Sequence, residues 1–488
     1  MAGMDQVDGT KIGPEPELRA GAVGLWGSIF QGLTHMAPAA GVITGIGFIA
    51  ASAGSAIPLA FVLAGVISLL IAMSINQLAR HLPSAGGYYT YVSRGLNPKL
   101  GFMAGWIYFL YDPLIPNLCT LVAAAYFSST VSALFGVDIP WWVYASVVYI
   151  GLGIISFLGV KPSIGTAIAF TSIEVGITLV FSFYVIGVHG VSGDDLAKTF
   201  TLAGTPGGFN GLAFGMIFAV LAYTGFESTI PLAEETKNPR QTVARAAVIS
   251  VAMIMVYYVV FNFASVVGWG PNRMAAMTAD PAPYNTMGNF YWGKFGIAIL
   301  TLALMNSSWG CSLAGQNAVV RVLYKMGQVG VLPKAFSRVH PRYKSPHIAI
   351  IAMVALSFVV TIGLGAWLGP INGFGLLATI ITVGTILVYA LGMIAVPIFY
   401  RREHPDEVNI LYTYVFPIVG TLMLVPVLYA SVWPPPAYPL NLAPYIDIVW
   451  ILIGIGVVIY LSRTRPQELQ AGADAIFADT GVGSDLPR

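Results

Sequence analysis

Twelve apolar runs, most of them about twenty residues long, follow one another along this chain with only short polar segments between them. They fall at 24–53, 57–79, 99–126, 140–159, 164–188, 210–232, 244–268, 292–320, 347–368, 372–398, 410–431 and 442–462. A helix of that length spans the hydrocarbon core of a bilayer and satisfies its own backbone while doing so. Composition agrees: 57% of the 488 residues are apolar and 9% charged, where a soluble domain carries roughly 25% charged residues. The expected fold class is therefore an all-α integral membrane protein with 12 transmembrane helices.

The basic residues orient the spans. With the N-terminus inside, Lys11, Arg19, Arg80, Arg94, Lys99, Lys161, Lys237, Arg240, Arg245, Arg321, Lys325, Lys334, Arg338, Arg342, Lys344, Arg401, Arg402, Arg463, Arg465 and Arg488 all face the cytosol. Only Lys198, Arg273 and Lys294 are left outside. One missed span would scramble every later loop, so this asymmetry supports both the count and cytoplasmic N- and C-termini. The first twenty residues are polar and lack the apolar centre of a cleaved signal peptide, and the stretch from Arg463 is polar again. Cys119 and Cys311 both lie in apolar runs, which argues against a disulfide framework or a cysteine metal site. A net charge of +2 gives no reason to expect nucleic acid.

Polar residues within the spans carry the functional reading. The first run contains "QGLTHMAPAAG" (31–41), which puts His35, Pro38 and Gly41 near its midpoint. Asp112 stands in the third span in "YFLYDPLIPN", Glu174 in the fifth and Glu227 in the sixth. An ionised acid at such depth costs about 2.5–3.5 kcal/mol on the insertion scale, so it is protonated, paired with an ion, or set against a water-filled cavity. Each also has a plainer reading. Asp112 and Glu174 fit neutral, hydrogen-bonded packing groups, Glu227 a tie or an amide cap, and His35 a satisfied core histidine. "YYTY" at 88–91 reads as an interfacial aromatic belt.

Pro38 removes a backbone donor and clashes with the preceding turn, and irregular backbone at that depth is tolerated only where it is buried in protein or lines a cavity. The sixth span has a matching interruption in "AYTGFEST", with Gly225 between aromatic residues. Broken helices at corresponding positions of two halves point to a transporter with inverted repeats and a midplane site. The halves share no residue-by-residue similarity, so the repeat rests on span position alone.

Four stretches carry a resemblance to the amino acid–polyamine–organocation superfamily: "LPSAGGYYTYVSRGLNPKLGFMAGW" (82–106), "GFESTIPLAEETKNPRQTVARA" (225–246), "NAVVRVLYKMGQVGVLPKAFSRVHPRYKSPHIA" (317–349) and "AAGVI" (39–43). They occur in family order through the first ten spans. The resemblance implies a five-plus-five inverted-repeat fold with discontinuous helices 1 and 6 and two additional C-terminal helices. It implies substrate held by Met36, Ala37, Ala39, Ala40 and Gly41 of the first span and by Ala222, Tyr223, Thr224, Gly225 and Phe226 of the sixth. Freed amides suit a carboxylate and freed carbonyls an ammonium, while Tyr223 and Phe226 are candidates for aromatic gating. The sequence departs from the family at three places: Ala39-Ala40-Gly41 replaces Gly-Ser-Gly, Gln77 replaces an acid, and Glu174 stands where many members carry a lysine thirteen residues after the one opening helix 5. That lysine is thought to take part in proton coupling, which makes Glu174 the candidate proton carrier here. An acid at Asp112 resembles the subgroup containing bacterial putrescine importers. Three buried acids without a buried Lys or Arg favour a cationic group on the substrate.

The expected activity is import of an amino acid across the cell membrane, by proton symport around a midplane site; the alternative is import or exchange of an organic amine or polyamine such as putrescine. His35 and Glu227 are possible accessory residues. No cofactor and no metal are expected; the partners are the substrate, the coupled proton and the bilayer. A membrane enzyme is disfavoured because the spans hold no metal-spaced His/Asp/Glu set, no Ser–His pair in adjacent spans and no phosphate loop. The expected organisation is a cytosolic tail at 1–20, a ten-helix transport core at 21–398, helices 11 and 12 at 399–462 and a cytosolic tail at 463–488.

Overall fold

The computed structural model describes residues 21–82, 86–230, 232–328 and 332–464; the N-terminal tail and nearly all of the C-terminal one lie outside them. The helices are α1 (Leu25–His35), α2 (Pro38–Ile43), α3 (Ile46–Ala53), α4 (Ile57–His81), α5 (Tyr88–Gly95), α6 (Pro98–Tyr111), α7 (Ile115–Phe135), α8 (Trp141–Phe157) and α9 (Val160–His189). They continue with α10 (Gly193–Phe200), α11 (Gly208–Tyr223), α12 (Pro239–Trp269), α13 (Met274–Ala279), α14 (Pro283–Gln328), α15 (His347–Leu368), α16 (Pro370–Glu403), α17 (Phe416–Val432) and α18 (Ala443–Thr464).

Local chemistry sets many of these boundaries. Proline, whose missing N–H costs nothing in a first turn, opens α2, α6, α12 and α16. Asn97 caps α6 by accepting from the Leu100 amide at 3.0 Å. The outer helix α10 begins with a capping box in which Ser192 and Asp195 serve each other's backbone amides.

Among the described residues, ten helices are long and apolar enough to cross a membrane. The two expected spans that fall short do so for different reasons. α8 has 17 residues, while the first span is divided into pieces of 11, 6 and 8 residues. The third span runs on to Phe135, with a single turn of tighter helix at Asp112–Leu114 where Pro113 interrupts it. α14 contains a reversal at Gly293 (φ 61°), so its first turns lie outside the span proper.

α14 packs between α7 and α9, α4 lies along α12, and α1 is held by α9, α12 and α14. α17 and α18 pack around α16 from the periphery. α18 is tied to α6 by Trp106 and Trp450, whose rings stack at 4.7 Å and whose indole N–H groups each donate to the other's backbone carbonyl at 2.8 Å.

Two expectations need correction. Tyr88 and Tyr91 of "YYTY" are buried in α5, with Tyr88 packed against Tyr389 of α16 at 5.8 Å, so they form core rather than an aromatic belt. Arg321 is not a loop cation: it belongs to α14 and is 3% exposed. The span region therefore does contain a buried arginine.

Candidate functional site

The first span breaks where Pro38 forbids a continuous helix. α1 ends at His35, and Ala37 takes a left-handed conformation (φ 50°, ψ 70°) before α2 begins. That conformation costs a non-glycine residue about 1–3 kcal/mol, so the surrounding packing has to hold it in place. The sixth span breaks at Thr224 and Gly225: Thr224 is extended and Gly225 sits at φ 124°, followed by a tight turn over Phe226–Thr229. Glycine is required at 225 twice over. The backbone angle disfavours every other residue, and a Cβ there would stand 2.9 Å from the His35 backbone. The two breaks thus cross in contact.

Tyr258 of α12 joins them. Its hydroxyl reaches both the freed carbonyl of Met36 and that of Ala222, the latter at 2.9 Å. A Cβ at Gly41 would collide with this hydroxyl, so the bridge depends on the glycine. Around the junction lies a cavity of about 40 Å³, which has room for roughly three water molecules. His35, Met36, Ala37, Ala40, Gly41, Ala222 and Thr224 line it. Gly45, Ile115, Leu118, Phe218, Leu221, Phe374 and the thiols of Cys119 and Cys311 complete it. The two sulfurs are 3.4 Å apart and not joined by a disulfide.

The other candidates lie around this cavity rather than on it. Ala39 is fully buried beside the break. Tyr223 points away, its hydroxyl donating to the Phe61 carbonyl at 2.9 Å, and Phe226 packs on Tyr389 at 5.6 Å. The cavity-lining rings are Phe218 and Phe374 instead. Asp112 stands behind His35, its Oδ1 3.9 Å from His35 Nε2 and without a hydrogen-bond partner. Its Oδ2 accepts from Tyr108 Oη at 2.6 Å. Glu227 fills the role of a cap: Oε2 accepts from the Gly225 amide at 2.9 Å and from Tyr389 Oη at 2.8 Å. The protein's own carboxylate therefore occupies the amide end of the second break.

Glu174 of α9 faces Asn306 and Ser307 of α14. Ser307 Oγ accepts from the Ala40 amide at 3.0 Å, which links Glu174 to the first break through one hydroxyl. The amides of the first turn of α2 are largely engaged: Pro38 has none, Ala40 uses Ser307, and Gly41 bonds Ala37 O at 2.6 Å.

On the side of the basic loops, the ends of both broken spans are fastened together. Val23, just before α1, pairs with the segment following the sixth span through Val23 N to Glu235 O at 2.9 Å and Lys237 N to Val23 O at 2.8 Å. Glu235 in turn forms a buried ion pair with Arg321 of α14, 2.9 Å from Nε. Arg321 Nη1 also donates to Asn317 O and Oδ1 at 3.1 and 3.2 Å. Sequence reading does not find this pair, because the separation of its members along the chain hides it. Asp447 of α18 escapes for another reason. It is 2% exposed with neither carboxylate oxygen bonded, and an acid in "YIDIVW" gives the same signal as Asp112.

A model of the amino acid permease family matches residues 27–470. The low-affinity putrescine importer PlaP of Escherichia coli (strain K12) is 26% identical over 342 residues, covering 68% of this chain and 72% of its own. Branched-chain amino acid permease BcaP of Bacillus subtilis (strain 168) is 25% identical over 450 residues, covering 86% and 88%. A methylthioribose transporter from the same organism is 26% identical over 444 residues, covering 88% and 90%.

Proposed function

The chain belongs to the amino acid permease family, and on that premise we propose that it imports an amino acid with an apolar side chain across the cytoplasmic membrane by proton symport. As a family member it is a multi-pass membrane transporter and not an enzyme. The observation that carries the proposal is the junction itself. Two broken helices meet at one cavity, with strained backbone on one side and Ile115, Leu118, Phe218, Leu221 and Phe374 on the other. Backbone groups suit the α-amino and α-carboxyl groups, and the apolar wall suits the side chain.

In this reading the first ten of twelve spans form the five-plus-five repeat over 21–398, 399–462 adds two peripheral helices, and both tails are cytosolic. The cavity is too small for an amino acid as it stands, so loading requires the broken spans to move apart from α14. Glu174 carries the proton. Its loading changes the hydrogen bonding offered to Ser307, and through that hydroxyl the hold on the Ala40 amide. Met36–Gly41 and Ala222–Phe226 contact the substrate during the cycle, including those residues that lie beside the closed cavity.

An organic amine is the second reading. It is favoured by the unpartnered Oδ1 of Asp112 and by the way Glu227 and Ser307 already engage the amides that a substrate carboxylate would use. The kinship with a putrescine importer supports it as well. Uptake of branched-chain amino acids and of putrescine into proteoliposomes, with and without an inward proton gradient, decides between them. Accumulation of an amino acid only under the gradient is the expected result. Uptake of amines alone transfers the proposal to the second reading, and gradient-insensitive uptake removes the symport.

A further inference from the structure

Away from the transport cavity, at the end of the bundle that carries the basic loops, three metal-ligating side chains converge. α4 ends in His81, and α16 ends at Glu403 with His404 immediately after it. At His404 the chain turns (φ −137°, ψ 55°) into the single tight turn Pro405–Glu407, which brings Glu407 back beside the histidine three residues earlier. His81 Nε2 lies 3.4 Å from Glu407 Oε2, and His404 Nδ1 lies 3.4 Å from Glu407 Oε1. One ligand atom from each of the three residues lies within 4.8 Å of the others.

Those separations carry chemical information. Nitrogen and carboxylate ligands about 2.0–2.1 Å from a tetrahedral Zn²⁺ stand about 3.3–3.4 Å from one another; the two separations here go to different oxygens of Glu407, so the three ligand atoms, all within 4.8 Å, close in when an ion enters. The two imidazole rings stack at 4.0 Å with 27° between their planes, and each sets one nitrogen toward an oxygen of Glu407; to hold one ion the rings swing out of this stack so that their nitrogens converge. The cluster is also open to entry, since Glu407 is 59% exposed while the histidines are 20% and 28% exposed. Tyr400 Oη lies 3.1 Å from His81 Nε2, but it has Gln77 O and Oε1 at 3.3 and 3.4 Å as other partners. Its proton therefore has an acceptor when Nε2 turns toward a cation.

We propose that His81, His404 and Glu407 bind a divalent cation of the Zn²⁺ class, with water in the fourth position, and that the ion fastens the end of α4 to the end of α16. Two histidines and one carboxylate are a borderline donor set, which selects Zn²⁺ or Co²⁺ over Mg²⁺ and Ca²⁺. The guanidinium groups of Arg80 and Arg240 lie near His81 and oppose the cation, which sets the affinity below that of a charge-neutral surrounding.

The test uses the full-length protein, purified in detergent through a tag that contains no histidine and titrated with Co²⁺. One Co²⁺ per chain with the intense visible absorption of a tetrahedral site, displaced by Zn²⁺ and not by Mg²⁺, is the expected result. His81→Gln and His404→Gln each weaken binding by at least about tenfold, given that even outer partners of metal ligands are worth about 10–100-fold. His340→Gln, in a separate ring cluster, leaves binding unchanged. Arg80→Gln tightens it, a change of opposite sign that misfolding does not produce. No cobalt uptake, or uptake that survives replacement of His81 and His404 together, overturns the proposal.

Discussion

The Glu235–Arg321 pair offers a direct handle on how the cavity is kept shut. Arg321 is 3% exposed and Glu235 1%. Together with the Val23 backbone bonds they fix the ends of the two broken spans against α14. Glu235→Gln keeps the shape of the side chain and removes its charge, leaving a guanidinium buried without a counter-ion. Breaking a buried pair in this way costs about 3–5 kcal/mol. The cost falls only on conformations that keep Arg321 buried, because a state open on the side of the basic loops returns it to water. At about 1.4 kcal/mol per tenfold, the open population rises by roughly two to three orders of magnitude. The two remaining bonds from Arg321 to Asn317 place the expected value toward the lower end.

The protein supplies its own reporters. Cys119 and Cys311 are its two cysteines, and both line the central cavity. Their alkylation by a small charged thiol reagent, added to the cytosolic face of inside-out vesicles, measures the fraction of time the cavity is open to that side. The rate is expected to rise about 100-fold in Glu235→Gln. In Glu235→Gln combined with Arg321→Met it returns most of the way, since no unpaired charge remains buried. A folded Glu235→Gln protein that is alkylated at the wild-type rate refutes the reasoning, and labelling only from the opposite face refutes the orientation.

Glu174→Gln is expected to abolish accumulation driven by a proton gradient while leaving substrate exchange measurable in proteoliposomes; gradient-driven accumulation by the variant removes Glu174 from coupling. Asp112→Asn is expected to weaken binding of an amine by about two orders of magnitude and of an amino acid far less, as read from equilibrium binding of each. Outside the membrane, hydrogen bonds from Ser192, reinforced by His189 and Lys198, hold the Asp195 carboxyl below its usual range. A depressed value means that the cap stabilises α10 fully above the ordinary carboxylate pKa of about 3.9 and is lost as pH falls through the lowered value. Amide exchange in α10 should accordingly accelerate in Asp195→Ala at neutral pH, and the difference from wild type should vanish in strong acid.

What is legible in the sequence follows from what the bilayer punishes. A proline, a histidine and a glycine in the middle of an apolar run are costly in lipid, so Pro38 and Gly225 mark both breaks by residue type and position alone. Asp112, Glu174 and Glu227 stand out for the same reason, and Asp447 is legible on the same ground. What stays hidden is pairing across the chain. Nothing in the composition of α12 marks Tyr258 as the group that bridges Met36 and Ala222, because a tyrosine in a span is ordinary. Arg321 reads as one more loop cation, yet it is buried against Glu235 from a distant segment. Glu227 shows how the two kinds of knowledge combine. Its depth makes it a candidate for substrate or proton, and only the 2.9 Å bond from the Gly225 amide reveals it as the acid side chain that already caps the broken helix. In the proposed mode of binding, a substrate carboxylate therefore competes with Glu227 for the Gly225 amide or uses the other break.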